Sequence, residues 1–117
     1  MEERYLPAAC PGPRISGGVL KWCAGDVFDL QLRLELTDQN GEDIQIAPAH
    51  TVTFAFWDVR RKPIYQVTFG DLADNTAVLR FTEAVSSLFP RGRYTYDVIY
   101  EGAVRRTLVR GGPILVE

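Results

Sequence analysis

This 117-residue chain has one histidine, two cysteines and one methionine, so it is poor in the side chains that most often ligate transition metals or carry nucleophilic chemistry. It contains no Cys-x-x-Cys pair, and Cys10, Cys23 and His50 would need a carboxylate to complete a zinc site. No apolar run approaches the roughly 20 residues that span a bilayer, which argues against membrane insertion. The formal net charge of −2 argues against a general nucleic-acid binder, whose affinity rests on neutralising phosphates. The opening Met1-Glu2-Glu3-Arg4 is acidic and lacks a following apolar segment. It does not read as a secretory signal, so reduced cysteines are the expectation. At 46% hydrophobic and 24% charged residues, the composition is that of a globular domain and not of a disordered, collagenous or coiled-coil chain. The length suits one domain.

Residues 1–18 read as a Pro/Gly-rich N-terminal arm, either a loose tail or an extended segment laid on a neighbour. Pro7, Pro11 and Pro13 remove backbone donors, and Gly17-Gly18 closes the stretch. Residues 19–117 then read as one domain built from strands. Val19 to Cys23 is short and apolar. Phe28, Leu30, Leu32, Leu34 and Leu36 alternate with Asp29, Gln31, Arg33 and Glu35, the period of two expected of a strand with one buried face. Asp38-Gln39-Asn40-Gly41 predicts a tight hairpin turn, with Ile44 and Ile46 starting a short return strand that Pro48 stops.

Thr51 to Asp58 carries apolar residues on both faces and predicts a central strand. Arg60-Arg61-Lys62-Pro63 reads as a basic turn, Ile64 to Phe69 and Ala77 to Phe81 as further strands. Glu83 to Phe89 is the one helical piece, capped by Thr82 and ended by Pro90 and Gly92. Arg93 to Tyr100 places Tyr94, Tyr96, Val98 and Tyr100 on one face and Thr95, Asp97 and Ile99 on the other. Ala103 to Arg110 returns antiparallel, Gly111-Gly112-Pro113 breaks it, and Ile114 to Val116 forms a last strand.

No helix is long enough to serve as a crossover, so the sheets are expected to be antiparallel. Short alternating strands in a chain of this length make an all-β fold, a two-layer sandwich or a barrel, and the tyrosine-rich late strand resembles that of an immunoglobulin-like antiparallel β-sandwich, here of about seven to nine strands with one short helix. In such sandwiches a tyrosine near the start of a late strand ties its hydroxyl to the loop before it. Tyr94 or Tyr96 is placed to do so, with Glu83 to Gly92 as the connecting crossover.

Gly25-Asp26-Val27-Phe28-Asp29-Leu30, Leu36-Thr37-Asp38-Gln39-Asn40-Gly41 and Thr51-Val52-Thr53-Phe54 resemble the opening of the immunoglobulin-like domains of phage tail and baseplate proteins. The ending is similar to theirs as well: Gly92-Arg93-Tyr94-Thr95-Tyr96-Asp97-Val98, Gly102, Thr107-Leu108, then Gly111 and Ile114-Leu115-Val116. The likeness covers residues 19–117 and is nearest to the N-terminal domain of siphophage baseplate upper proteins and to small proteins of prophage tail operons. It implies a structural tail or baseplate component in the virion, made in the bacterial cytoplasm. Its partners would be other tail subunits or further copies of itself in a ring or trimer. Without the downstream receptor-binding region of the longer phage proteins, a connector role is implied over host binding. The alternative from a different class is a bacterial carbohydrate-binding β-sandwich module.

The residues that a catalyst or ligand site would use have simpler readings. Ser16, Ser86 and Ser87 lie in no Gly-x-Ser-x-Gly elbow, and His50 stands at a loop-to-strand junction. Gly111-Gly112-Pro113 precedes a strand and not a helix, unlike a phosphate loop. Asp38, Asn40, Glu42 and Asp43 lack calcium-loop spacing and read as turn residues. Trp22, Trp57, Tyr65, Tyr94, Tyr96 and Tyr100 read as strand packing before a sugar platform. No catalytic, cofactor-binding or metal-ligating residue is assigned, and no enzymatic activity is expected.

Charge is unevenly distributed: residues 1–58 hold four basic and nine acidic side chains, residues 59–117 nine basic and six acidic. If Arg60-Arg61-Lys62 gathers with Arg105-Arg106 and Arg110 on one edge, that edge is suited to dock head-to-tail on an acidic edge of another copy. A plain solvated rim is the competing reading.

Overall fold

The computed structural model describes residues 11–46, 49–70, 72–102 and 104–117. Eight strands follow in order: β1 (Arg14–Ser16), β2 (Val19–Trp22), β3 (Phe28–Arg33), β4 (Thr51–Asp58), β5 (Pro63–Gly70), β6 (Thr76–Phe81), β7 (Gly92–Glu101) and β8 (Arg105–Val116). A 3-10 turn at Ala73–Asn75 precedes β6, and helix α1 (Glu83–Ser86) separates β6 from β7. Among the described residues, no helix is long and apolar enough to cross a membrane.

The strands form two layers. One is a six-stranded sheet in the order β1-β2-β8-β7-β4-β5, and the other pairs β3 with β6. With β8, β7, β4 and β5 adjacent in that order opposite a β3–β6 pair, this is the strand order of an immunoglobulin-like sandwich with an added edge strand. The layers meet through alternating side chains. Val52, Phe54 and Phe56 of β4, Val98 and Tyr100 of β7 and Ile114 and Val116 of β8 face Ala77, Leu79 and Phe81 of β6. Trp22 is fully enclosed, with ring centroids 5.0 Å from Phe81 and 5.5 Å from Phe89. Phe28 stacks on Phe81 at 4.7 Å.

Several expectations are met in detail. β4 is central, pairing with β5 on one side and β7 on the other. The Thr82 hydroxyl accepts from the Val85 N–H to cap α1, and 3-10-type bonds carry the chain on to Phe89, which plugs the end of the core. The Tyr94 hydroxyl donates to the Pro90 carbonyl at 2.5 Å, the tie expected between that loop and the start of β7. Burial, and secondarily the Asp58 charge, raises the Tyr94 phenol above its ordinary pKa, so it stays a neutral donor.

Five expectations are corrected. β2 runs parallel to β8, Leu20 facing Ile114 and Trp22 facing Val116. The antiparallel rule concerns strands joined directly, whereas here nearly the whole sandwich is the crossover between the two. Residues 14–16 of the expected arm form the hairpin strand β1 on β2, turned by Gly17 and Gly18 at φ 59° and 77°; residues 1–10 lie outside the described residues.

The alternation from Phe28 stays in the ladder only to Arg33. Leu34 N–H still bonds the Asn75 carbonyl in the same register; there the segment before β6 turns left-handed, and the Asn75 side chain holds the Ile44 carbonyl and the Ile46 N–H. The Asn-Gly turn is present, with Gly41 at φ 80°, but the return strand is reduced to a single Thr37–Asp43 bridge; Pro48 lies outside the described residues. Finally, Gly111-Gly112-Pro113 does not break the last strand. β8 runs through as one strand, absorbing the extra residue as a bulge with Gly111 at φ 63°.

Candidate interaction surfaces

On the face of the six-stranded sheet turned away from β3 and β6, the bulge and the basic turn converge on Asp97. Asp97 stands where one β7 residue meets two of β8, between the Tyr96–Gly112 and Val98–Val109 pairs. It is only 7% exposed. Its Oδ1 accepts the Gly111 N–H at 2.8 Å and its Oδ2 accepts Arg61 Nη2 at 3.0 Å. Desolvation by itself pushes the carboxyl pKa up. The Gly111 N–H and the Arg61 guanidinium outweigh that and hold it below its ordinary value.

Arg61 reaches Asp97 because of its turn. The Asp58 carboxylate accepts the N–H groups of Arg60 and Lys62 at 2.8 and 2.9 Å, and Arg61 takes φ 60° between them. That backbone folds the guanidinium over the Trp57 ring at 4.6 Å and onto the Thr95 hydroxyl. The Trp57 indole N–H adds to the field at Asp97 without itself meeting hydrogen-bond geometry. With both oxygens engaged, Asp97 pins the bulge to β7 and is not a free base. The sequence pattern places Asp97 on the face opposite Tyr94, Tyr96, Val98 and Tyr100, and Trp57 on a β4 face that also carries apolar residues, and gives neither a partner. The signal it passed over is Gly111-Gly112 opposite Tyr96-Asp97, two small residues where a strand can bulge and expose an N–H to a carboxylate.

The other residues singled out in the sequence are dispersed. His50 Nδ1 lies 2.6 Å from the Tyr100 hydroxyl, at the end of the sandwich where β4 starts and β7 finishes. Ser86 and Ser87 lie at the opposite end, before β7 begins. β7 is ten residues long, about 30 Å at ~3.3 Å per residue. Ser16 is exposed on β1, Ser86 is buried and Ser87 caps the end of α1 by donating to Ala84 O. Cys23 is disulfide-bonded, contrary to the expected reduced thiol; Cys10 lies outside the described residues.

The Asp38 carboxylate is taken up by the N–H groups of Asn40 and Glu42, a turn role as expected. The aromatics form no single exposed row. Trp22 and Tyr100 are buried, Tyr94 and Tyr96 pack inward, and Trp57 lies on the other face beneath Arg61. The basic clusters do not share an edge. Arg60, Arg61 and Lys62 lie at the end where β7 begins, while Arg105 and Arg106 lie at the far end, where Arg106 donates to the Thr37 carbonyl.

What remains open is the edge of the larger sheet at β5. Among the described residues no strand pairs with its outer side, and none of its eight residues is charged. Tyr65, Val67 and Phe69, half-buried, form with Val78, Leu79, Arg80 and Phe81 a mainly apolar groove of about 180 Å3 between β5 and β6. No protein-family model matches the chain, and no characterised protein matches it significantly in sequence.

Proposed function

We propose that this protein is a structural component of a phage or prophage tail or baseplate, working through protein–protein contacts and without catalysis. The resemblance of residues 19–117 suggests the setting. The observation that carries the mode of action is β5, an eight-residue uncharged edge with a mainly apolar groove beside it, which Arg80 also lines. Natural sheets blunt their edges with charge, proline or brevity unless pairing is wanted, and an open edge offers main-chain hydrogen bonds to an incoming strand. The polar clusters support the same reading, because Asp97, Arg61 and Tyr94 each bond to the scaffold.

The test is co-purification. The tagged chain, expressed with the proteins encoded beside its gene, is expected to carry a tail or baseplate protein through gel filtration. Saturable tryptophan fluorescence changes with a glycan, on a protein that binds no neighbour, would instead establish the carbohydrate-binding alternative.

A further inference from the structure

The β5 edge also has the features of a self-complementary surface. We infer that β5 pairs antiparallel with β5 of a second copy about a two-fold axis near Gln66, joining two six-stranded sheets into one. This inference rests on the assembly reading above and names the partner and the contact.

Three observations support it. First, β5 is long, β-branched and aromatic (Pro63-Ile64-Tyr65-Gln66-Val67-Thr68-Phe69-Gly70), and its one proline occupies the first position, where a missing N–H interrupts no ladder. Second, the two ends of the sandwich differ in charge. Where β5 begins, Arg60, Arg61 and Lys62 are joined by Arg91 and Arg93 at the start of β7. Where β5 ends, the β3–β4 loop carries Glu35, Asp38, Glu42 and Asp43, Asp74 follows in the connection to β6, and Glu101 closes β7, so acids outnumber Arg33, Arg105 and Arg106 at that end.

An antiparallel two-fold contact lays the basic end of each copy beside the acidic end of the other, so one patch satisfies both sides. A parallel contact would set like charges side by side. Third, Tyr65, Val67 and Phe69 line the groove next to the edge, so pairing at β5 makes the grooves of the two copies contiguous and removes apolar surface from water on both. With the axis at Gln66, Tyr65 of each copy lies opposite Val67 of the other, a pair that suits a sheet, while Ile64 stands at the bulge where β5 leaves register with β4.

Sedimentation equilibrium of the full chain tests this. The wild type is expected to dimerise, more weakly when NaCl rises from about 0.05 M to about 0.5 M, because the end-to-end charges are screened. Gln66→Lys with Thr68→Lys sets lysines around the axis and is expected to raise the dimer dissociation constant about tenfold or more. Ser16→Lys on the opposite edge should leave it unchanged. Hydrogen exchange needs no variant: β5 amides should gain protection as wild-type concentration rises, while β1 amides do not.

A wild type that stays monomeric to about 1 mM overturns the inference. So does a dimer indifferent to the lysine pair, with β5 exchange independent of concentration; that result leaves the assembly reading standing. A β5 dimer that captures no neighbouring tail protein has the opposite meaning: the contact holds and the tail role falls.

Discussion

The two edges of the six-stranded sheet differ in nearly every property that governs strand addition. β1 is three residues long, follows Pro13, and its Arg14 is tied to Glu117 at 2.5 Å across the end of the sheet. β5 is eight residues long, uncharged and flanked by a mainly apolar groove. Brevity and charge close the first edge; on the second, Pro63 and a bulge at Ile64 are confined to the first two positions, and Tyr65 to Gly70 stay in regular register. A single sheet thus has one edge built to end and one built to continue. The difference arises from composition at two short segments and not from the architecture they share.

The comparison can be broken most severely from the core. Phe81 packs under Trp22 on the β2 side and lines the groove on the β5 side, so Phe81→Ala should cost both flanks about 3–5 kcal/mol, read as a lower urea midpoint. A loss under about 1 kcal/mol would mean that the sheets collapse onto the gap and that the groove is not rigid.

Next in size is Asp97→Asn, at about 1–3 kcal/mol, since a neutral amide replaces a carboxylate that holds Gly111 N–H and Arg61. The Asp97 carboxyl is lowered in the folded state. Its contribution is therefore present above the ordinary carboxyl value of 3.8 and is lost as pH falls through the lower folded value. Wild-type stability minus that of Asp97→Asn should shrink across that acid range, followed by thermal melts at stepped pH. A difference constant with pH would show that the ion pair contributes nothing beyond packing.

Tyr94→Phe removes the tie to Pro90 and should cost about 1 kcal/mol by denaturant titration, without disturbing either edge. The smallest effect is expected at the closed edge itself. Arg14→Ala breaks an ion pair whose side chains are 28% and 37% exposed and should cost under about 1 kcal/mol. If it instead produced concentration-dependent association, Arg14 would be shown to guard β1, which would sharpen the contrast with β5.

Much of this was legible beforehand, and the reasons are local. Asn40-Gly41 turned the chain as expected, Thr82 capped α1, and Tyr94 met Pro90 four residues upstream. Each of these depends on residues within a few positions of one another. The partners of Asp97 were not legible, because an alternating pattern assigns a face but not a neighbour. Only the bulge in β8 brings the Gly111 N–H to it, and only the left-handed Arg61 brings the guanidinium. The long alternation from Phe28 leaves the ladder after Arg33 because the segment before its partner β6 turns through left-handed Asp74 and Asn75, more than forty positions away.

The amino-acid order by itself determined that this chain would make short pleated strands, where they would turn and which side chains would face inward. Those properties come from rotation per residue and from turn chemistry, both local. The tertiary structure alone decided that β2 would lie parallel to β8, that Asp97 would be buried and paired, and that β5 would be an outermost strand. The physical reason is that main-chain donors and acceptors are alike in every strand. Which strands pair, and which is left open, is settled by how the whole set of apolar faces is best covered at once.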